Sequence, residues 1–175
     1  MAYKSRLIFL LIFILFNIHS YALSAQEQVE ILTAHNKVRN KLNLPNLKWS
    51  KSLEYKATNW VNTLSVKYEC KMFHSHMPNL GENLYWAGPL SYSNGKKEIQ
   101  PIRPFDVVSA WSSEEPYYDY NANRCISGKV CGHYTQLVWK DTTEVGCAKV
   151  ICYDKSQIWS CNYNPPGNYI NQKPY

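Results

Sequence analysis

The side chains able to do chemistry in this sequence are few, and their spacing excludes the compact catalytic patterns. Among 5 His and 13 acidic residues there is no His-Glu-x-x-His, the helical arrangement that sets two imidazoles one turn apart for zinc. There is no Gly-x-Ser-x-Gly turn to raise a serine hydroxyl above a sheet. Ser75 directly follows His74, but adjacency in sequence is not the geometry in which an imidazole takes a hydroxyl proton. The 6 Cys are Cys70, Cys125, Cys131, Cys147, Cys152 and Cys161, and six cysteines allow fifteen pairings. In a small chain bound for an oxidising compartment they read as a disulfide framework, which leaves no thiol as nucleophile. Tyr117, Tyr118 and Tyr120 crowd behind Pro116. Such rings either pack a loop or line an apolar groove with hydroxyls at its rim, a shape suited to a sterol or a fatty acid.

These groups need a scaffold, and the hydrophobic pattern predicts one. Ile31, Leu32, His35, Val38 and Leu42 recur at helical spacing over residues 26–42, before a stop at Asn43 and Pro45. His35 falls on the apolar face and reads as a core histidine satisfied by hydrogen bonds. Ser50 is placed to cap a second helix carrying Leu53, Ala57, Trp60, Val61 and Leu64 on one side. Residues 70–80 read as a loop, and residues 88–104 as a second, polar loop whose length marks it as mobile or functional. A short helix follows over 105–115, led by Val107, Val108 and Trp111 and stopped by Pro116. Two strands close the chain, one over 145–152 and one over 157–163, joined by a turn at Asp154-Lys155-Ser156. The first strand is apolar on both faces, so both should be covered. Helices first, strands last and a sheet covered on two sides predict an α+β sandwich.

The first residues give an address. Lys4 and Arg6 precede an apolar run from Leu7 to Phe16, followed by the small residues Ser20, Ala22, Ser24 and Ala25. The run is too short to span a bilayer and reads as a signal peptide over residues 1–24, cut after Ser24 or Ala25, with a single domain over 25–175. Removing Lys4 and Arg6 from 19 basic and 13 acidic side chains lowers the formal charge from +6 to +4. The lysines are scattered, so no nucleic-acid partner is expected. A membrane surface or cell wall could attract the surplus charge.

Three blocks carry a resemblance. They are Gly81-Glu82-Asn83-Leu84-Tyr85-Trp86; the run from Val130 through Gly132-His133-Tyr134-Thr135-Gln136 to Trp139, continuing at Val145-Gly146-Cys147-Ala148; and Cys161-Asn162-Tyr163-Asn164-Pro165-Pro166-Gly167-Asn168-Tyr169. Together they resemble the CAP superfamily, the cysteine-rich secretory, antigen 5 and pathogenesis-related 1 proteins. Tyr117 to Cys125 and the ending Lys173-Pro174-Tyr175 are similar to the plant pathogenesis-related 1 branch. The resemblance implies a three-layer α-β-α sandwich with a central antiparallel sheet and three disulfides, Cys70–Cys152, Cys125–Cys131 and Cys147–Cys161. It implies a cleft with four residues: His74, Glu82, Glu114 and His133. His76 rivals His74, and Glu115 shadows Glu114. Two imidazoles and two carboxylates could form a structural hydrogen-bond network, hold zinc through His74 and His133, or polarise a water. No cofactor is required by this reading.

The functional expectation is a monomeric protein, secreted into the apoplast or cell-wall space, that serves defence by binding sterol or another lipid near Tyr117, Tyr118 and Tyr120. A hydrolase or protease using the four cleft residues is the rival. A third reading makes residues 165–175 a signalling peptide released by a cut between Asn164 and Pro165. Two departures flank the cleft: the 88–104 loop is longer and more basic than the family pattern, and Glu115-Pro116 stands where a lysine is common.

Overall fold

The computed structural model describes residues 22–175. The signal peptide expected over 1–24 therefore lies almost wholly outside the described residues. Helix α1 (Ala25–Asn40) begins with a reciprocal cap: the Ser24 hydroxyl accepts from Glu27 N–H, and the Glu27 carboxylate accepts from Ser24 N–H. After β1 (Lys48–Trp49) comes α2 (Lys51–Lys67), then β2 (Gly81–Ala87) and a small hairpin of β3 (Leu90–Ser91) and β4 (Lys97–Glu98). Helix α3 (Pro104–Ser112) starts on a proline, which fits a first turn that lacks N–H partners. A 3-10 turn (Glu115–Tyr117), the hairpin β5 (Tyr118–Asp119) and β6 (Arg124–Cys125), and α4 (Gly132–Leu137) lead to the long pair β7 (Glu144–Ile151) and β8 (Gln157–Asn164).

The main sheet has the order β1-β7-β8-β2. Its three long strands are antiparallel, with Cys147 opposite Cys161 and Glu82 opposite Asn162. The edge strand β1 runs parallel to β7, so the sheet is mixed rather than wholly antiparallel. Alternation along β7 separates two cores. Ala148 and Val150 meet Ala57, Val61 and Leu64 of α2 on one face. Val145 and Cys147 meet Ile31 of α1, Val107 and Trp111 of α3, and Leu137 of α4 on the other. That is the three-layer α-β-α sandwich. Gly146 lies where α2 starts: a Cβ there would sit 2.2 Å from Glu54 N, so the helix can press on the strand only if the residue has none.

Besides the two-residue strands and the 3-10 turn, two elements escaped sequence reasoning. β2 carries buried Asn83 beside Glu82, and α4 is six residues long with buried Gln136; neither shows a clean period. The 88–104 segment is not a plain loop, since it holds the β3–β4 hairpin. Ser50 occupies the cap position of α2, but its side chain makes no capping bond. The cysteines pair as the resemblance implies: Cys70–Cys152, Cys125–Cys131 and Cys147–Cys161. Arg39, fully buried on α1, does not appear in the sequence reading. Its guanidinium donates to the carbonyls of Pro45, Leu137, Trp139, Lys140 and Thr142, and so ties α1 to the chain leaving α4.

Candidate functional site

Each of the two imidazoles is held by its own carboxylate. Glu82 projects from β2 toward the 70–80 loop, where its Oε1 accepts from His74 Nδ1 at 2.7 Å and from Ser75 N at 2.9 Å. Its Oε2 is buried without a hydrogen-bond partner. Glu114 follows α3 and faces the start of α4. Its Oε1 accepts from His133 Nδ1 at 2.6 Å, and its Oε2 from the backbone N–H of His133 and Tyr134 at 2.9 and 3.2 Å. The structure thus selects His74 over His76 for Glu82, and Glu114 over Glu115 for His133. His76 lies beside His74, with ring centres 6.4 Å apart.

The hydrogen bond that His74 gives to Glu82 raises the His74 pKa above its ordinary value, against a smaller opposing effect of burial. Behind His133 runs a buried relay. Asn83 Nδ2 donates to the His133 carbonyl at 3.1 Å and to the Tyr163 hydroxyl at 3.3 Å. Tyr163 O–H donates to His35 Nε2 at 2.9 Å, and His35 Nδ1–H donates to the Ile31 carbonyl at 2.7 Å. That pattern requires a neutral imidazole at His35, and complete burial lowers its pKa to about 4. The same burial raises the Tyr163 pKa. Trp111 stacks on the His133 ring at 6.3 Å. Gln136 reaches back from α4: its Oε1 accepts from Gly167 N, and it occupies the space a Cβ on Gly81 would need, 2.1 Å away. Asn83, Gln136 and Tyr163 lie within the three resembling blocks and Trp111 on the predicted third helix, but nothing in their spacing marked them as supports.

No hydroxyl or thiol is poised for attack at either imidazole among the described residues. Ser75 Oγ accepts from Met77 N, not from a histidine, and every cysteine is in a disulfide. Each Nδ1–H is held by a carboxylate, so each neutral ring presents Nε2 as an acceptor. Among the described residues no three His, Cys, Asp or Glu side chains converge on a metal position. A zinc centre usually takes three or four protein ligands, and His74 and His133 by themselves supply two.

The three tyrosines take different partners. Tyr118 donates to Asn123 Oδ1 at 2.7 Å and lines a hollow of about 390 Å³ with Trp139, Tyr169 and Pro174. Tyr120 meets Tyr118 edge to face, stacks on Tyr175 with ring centres 5.0 Å apart, and lies under the Lys173 ammonium. Tyr117 lies apart from that stack, beneath Lys129. The tail after Asn164 is docked: Thr142 donates to the Pro165 carbonyl, Thr135 to Asn168, and Lys140 N to the Pro174 carbonyl. A second hollow, of about 320 Å³, is lined by His74, His76, Met77, Leu80 and Glu82. Among the described residues no helix is long and apolar enough to cross a membrane.

Comparison with known proteins agrees with this architecture. The CAP family model, described as the cysteine-rich secretory protein family, matches residues 32–163. A pathogenesis-related protein 1 of Arabidopsis thaliana is 40% identical over 154 residues, covering 87% of this chain and 86% of the relative. Pathogenesis-related protein 1B of Nicotiana tabacum is 37% identical over 166 residues, covering 95% and 90%. Among solved structures, Schistosoma mansoni venom allergen-like protein 4 superposes with a TM-score of 0.64 at 26% identity, over 87% of this chain and 95% of that one. NaASP2, crystallised with Zn2+, gives a TM-score of 0.64 over 88% and 87%; at 20% identity it is similar in fold alone.

Proposed function

This chain belongs to the cysteine-rich secretory protein (CAP) family, and on that premise we propose an exported defence protein of the pathogenesis-related 1 type that acts by binding a sterol or similar lipid rather than by turnover. The relatives carry the defence reading. The observation that favours binding over turnover is that, among the described residues, no activated hydroxyl or thiol stands beside either carboxylate-paired imidazole. A bound lipid would rest against Tyr118, whose ring lines the 390 Å³ hollow, a volume within the range of small-molecule sites. The three disulfides suit an oxidising exterior. The protein would act as a monomer in the apoplast, with its positive surplus drawn to a cell wall or membrane surface.

A titration of the oxidised protein with a fluorescent sterol tests this. Saturable binding that Tyr118→Ala weakens at least fivefold is the expected result; the absence of saturable binding removes the lipid reading. The rival hydrolase reading requires turnover lost in a Glu82→Gln/His133→Ala double variant. Release of residues 165–175 is a second role that the cysteine pattern permits, since no disulfide holds the segment. The docked contacts of Pro165, Asn168 and Pro174 mean that a cut at Asn164 leaves the peptide seated, and release needs those bonds broken as well. Mass spectrometry of extracellular fluid under challenge should find the 165–175 fragment if the role is real.

A further inference from the structure

The 70–80 loop carries donors that the cleft pairs do not use. Between α2 and β2 the sequence reads Met72-Phe73-His74-Ser75-His76-Met77. The loop is fixed at its base by the Cys70–Cys152 disulfide and by Trp60 Nε1, which donates to the Phe73 carbonyl at 2.9 Å. Inside it, Ser75 N–H is tied to Glu82 and Met77 N–H to Ser75 Oγ. His76 sits in the left-handed region at φ 51°, one of the few non-glycine residue types found there often, and this turns its ring toward the His74 side of the loop. The result is a wall of the 320 Å³ hollow on which His74, His76 and Met77 stand together.

We propose that this loop binds a copper(I) ion through His74 Nε2, a ring nitrogen of His76 and the Met77 thioether. Three features favour it. First, the rings are near one another. A three-coordinate metal with bonds of about 2 Å puts two ligating ring centres about 5.5 Å apart. The two rings stand 6.4 Å apart, and both are exposed, so a side-chain movement of about 1 Å closes the gap. Second, the donors are soft. A thioether with imidazoles selects copper(I), whereas zinc takes three or four His, Cys or carboxylate ligands, which do not converge among the described residues. Third, His74 is already oriented as a ligand: Glu82 accepts its Nδ1 hydrogen, the carboxylate–histidine arrangement that fixes the tautomer and raises the basicity of the other nitrogen. The Glu82 carboxylate sits across the His74 ring from the metal, so its negative charge supports the cation through the imidazole rather than as a ligand. Binding involves no redox step, and it is independent of the lipid reading because Tyr118 lies outside this hollow.

The test uses the oxidised full-length domain under argon, with no thiol reductant. Copper(I) is supplied as its acetonitrile complex and competed against bicinchoninate. The natural protein should take up one copper(I) per chain. His76→Ala and Met77→Leu should each weaken binding at least tenfold, with far-ultraviolet dichroism and melting unchanged, while His133→Ala should bind as tightly as the natural protein. Three results would overturn the site: no stoichiometric uptake, undiminished affinity in either loop variant, or loss of binding in His133→Ala. The last would assign the metal to the pair of cleft imidazoles instead.

Discussion

His133 and His74 both give an Nδ1 hydrogen to a carboxylate, at 2.6 and 2.7 Å, yet the two pairs are embedded differently. Around His133 the carboxylate is fully used and the imidazole is braced. Both Glu114 oxygens are used, Trp111 backs the ring, and Asn83 binds the carbonyl, with 30% of the histidine and 15% of the acid side chain exposed. Around His74 the acid is buried, at 7% exposure, but the imidazole is 52% exposed and one acid oxygen has no partner. His133 stands on α4 and Glu114 on the turn after α3, whereas His74 stands on a loop and only its partner Glu82 on the sheet. The same contact therefore serves as a fixed strut on one side and as an adjustable arm on the other.

The largest expected effect strikes the loop side. Replacing Cys70 and Cys152 with Ser opens a closure of 82 residues, and by chain entropy this costs about 4–5 kcal/mol. Thermal unfolding of the double variant should show a steep drop in Tm; an unchanged Tm would mean the loop is anchored by something else. Next comes acid on the strut side. The buried His35 has a folded pKa of about 4 against an ordinary value of 6.5, so the unfolded chain binds the extra proton. Its contribution is whole above pH 6.5 and is lost as pH falls toward 4, by up to about 3 kcal/mol. Denaturant unfolding across that window should show the decline. The His35 ring signals in nuclear magnetic resonance should stay those of a neutral imidazole down to pH 5.

The pairs themselves can then be set against each other. Glu114→Ala removes three hydrogen bonds to a mostly buried carboxylate and should cost about 3 kcal/mol, whereas Glu82→Ala, facing an exposed imidazole, should cost about 1 kcal/mol. Equal losses in urea unfolding would erase the distinction between strut and arm. The smallest effect is the pH response of His74. Its pKa is raised in the folded state, so the stabilisation from its ion pair is complete below the unfolded pKa and fades as pH climbs through the folded value, the opposite direction to His35. Exposure to solvent keeps it small. Comparing the natural protein with His74→Gln between pH 5 and 8 should reveal a gap that narrows upward.

Much of the scaffold was legible because it obeys a period. The apolar stripes of α1, α2 and α3 and the two-faced β7 follow spacing rules, and the turn at Asp154-Lys155-Ser156 joins β7 to β8 as read. β2 and α4 were not, since their buried positions hold Asn83 and Gln136, whose burial is permitted only by partners far off in sequence. The four residues named by the resemblance illustrate the same limit. Spacing alone named none of them; resemblance did, and it left His74 against His76 and Glu114 against Glu115 unresolved. The choice depends on turns, including left-handed residues at His76 and Asn79, that bring an acid to an imidazole 8 or 19 positions away.

Arg39 carries a last consequence. With no acid bound to it among the described residues, its charge is solvated by peptide oxygens, much as a crown ether takes an alkali ion out of solution. A lysine has three hydrogens to offer where this ring of carbonyls is filled by a planar fork of five. The chain beyond α4, and the C-terminal strand of contacts that hangs from Lys140, are thus moored to a permanent cation at the centre of the protein.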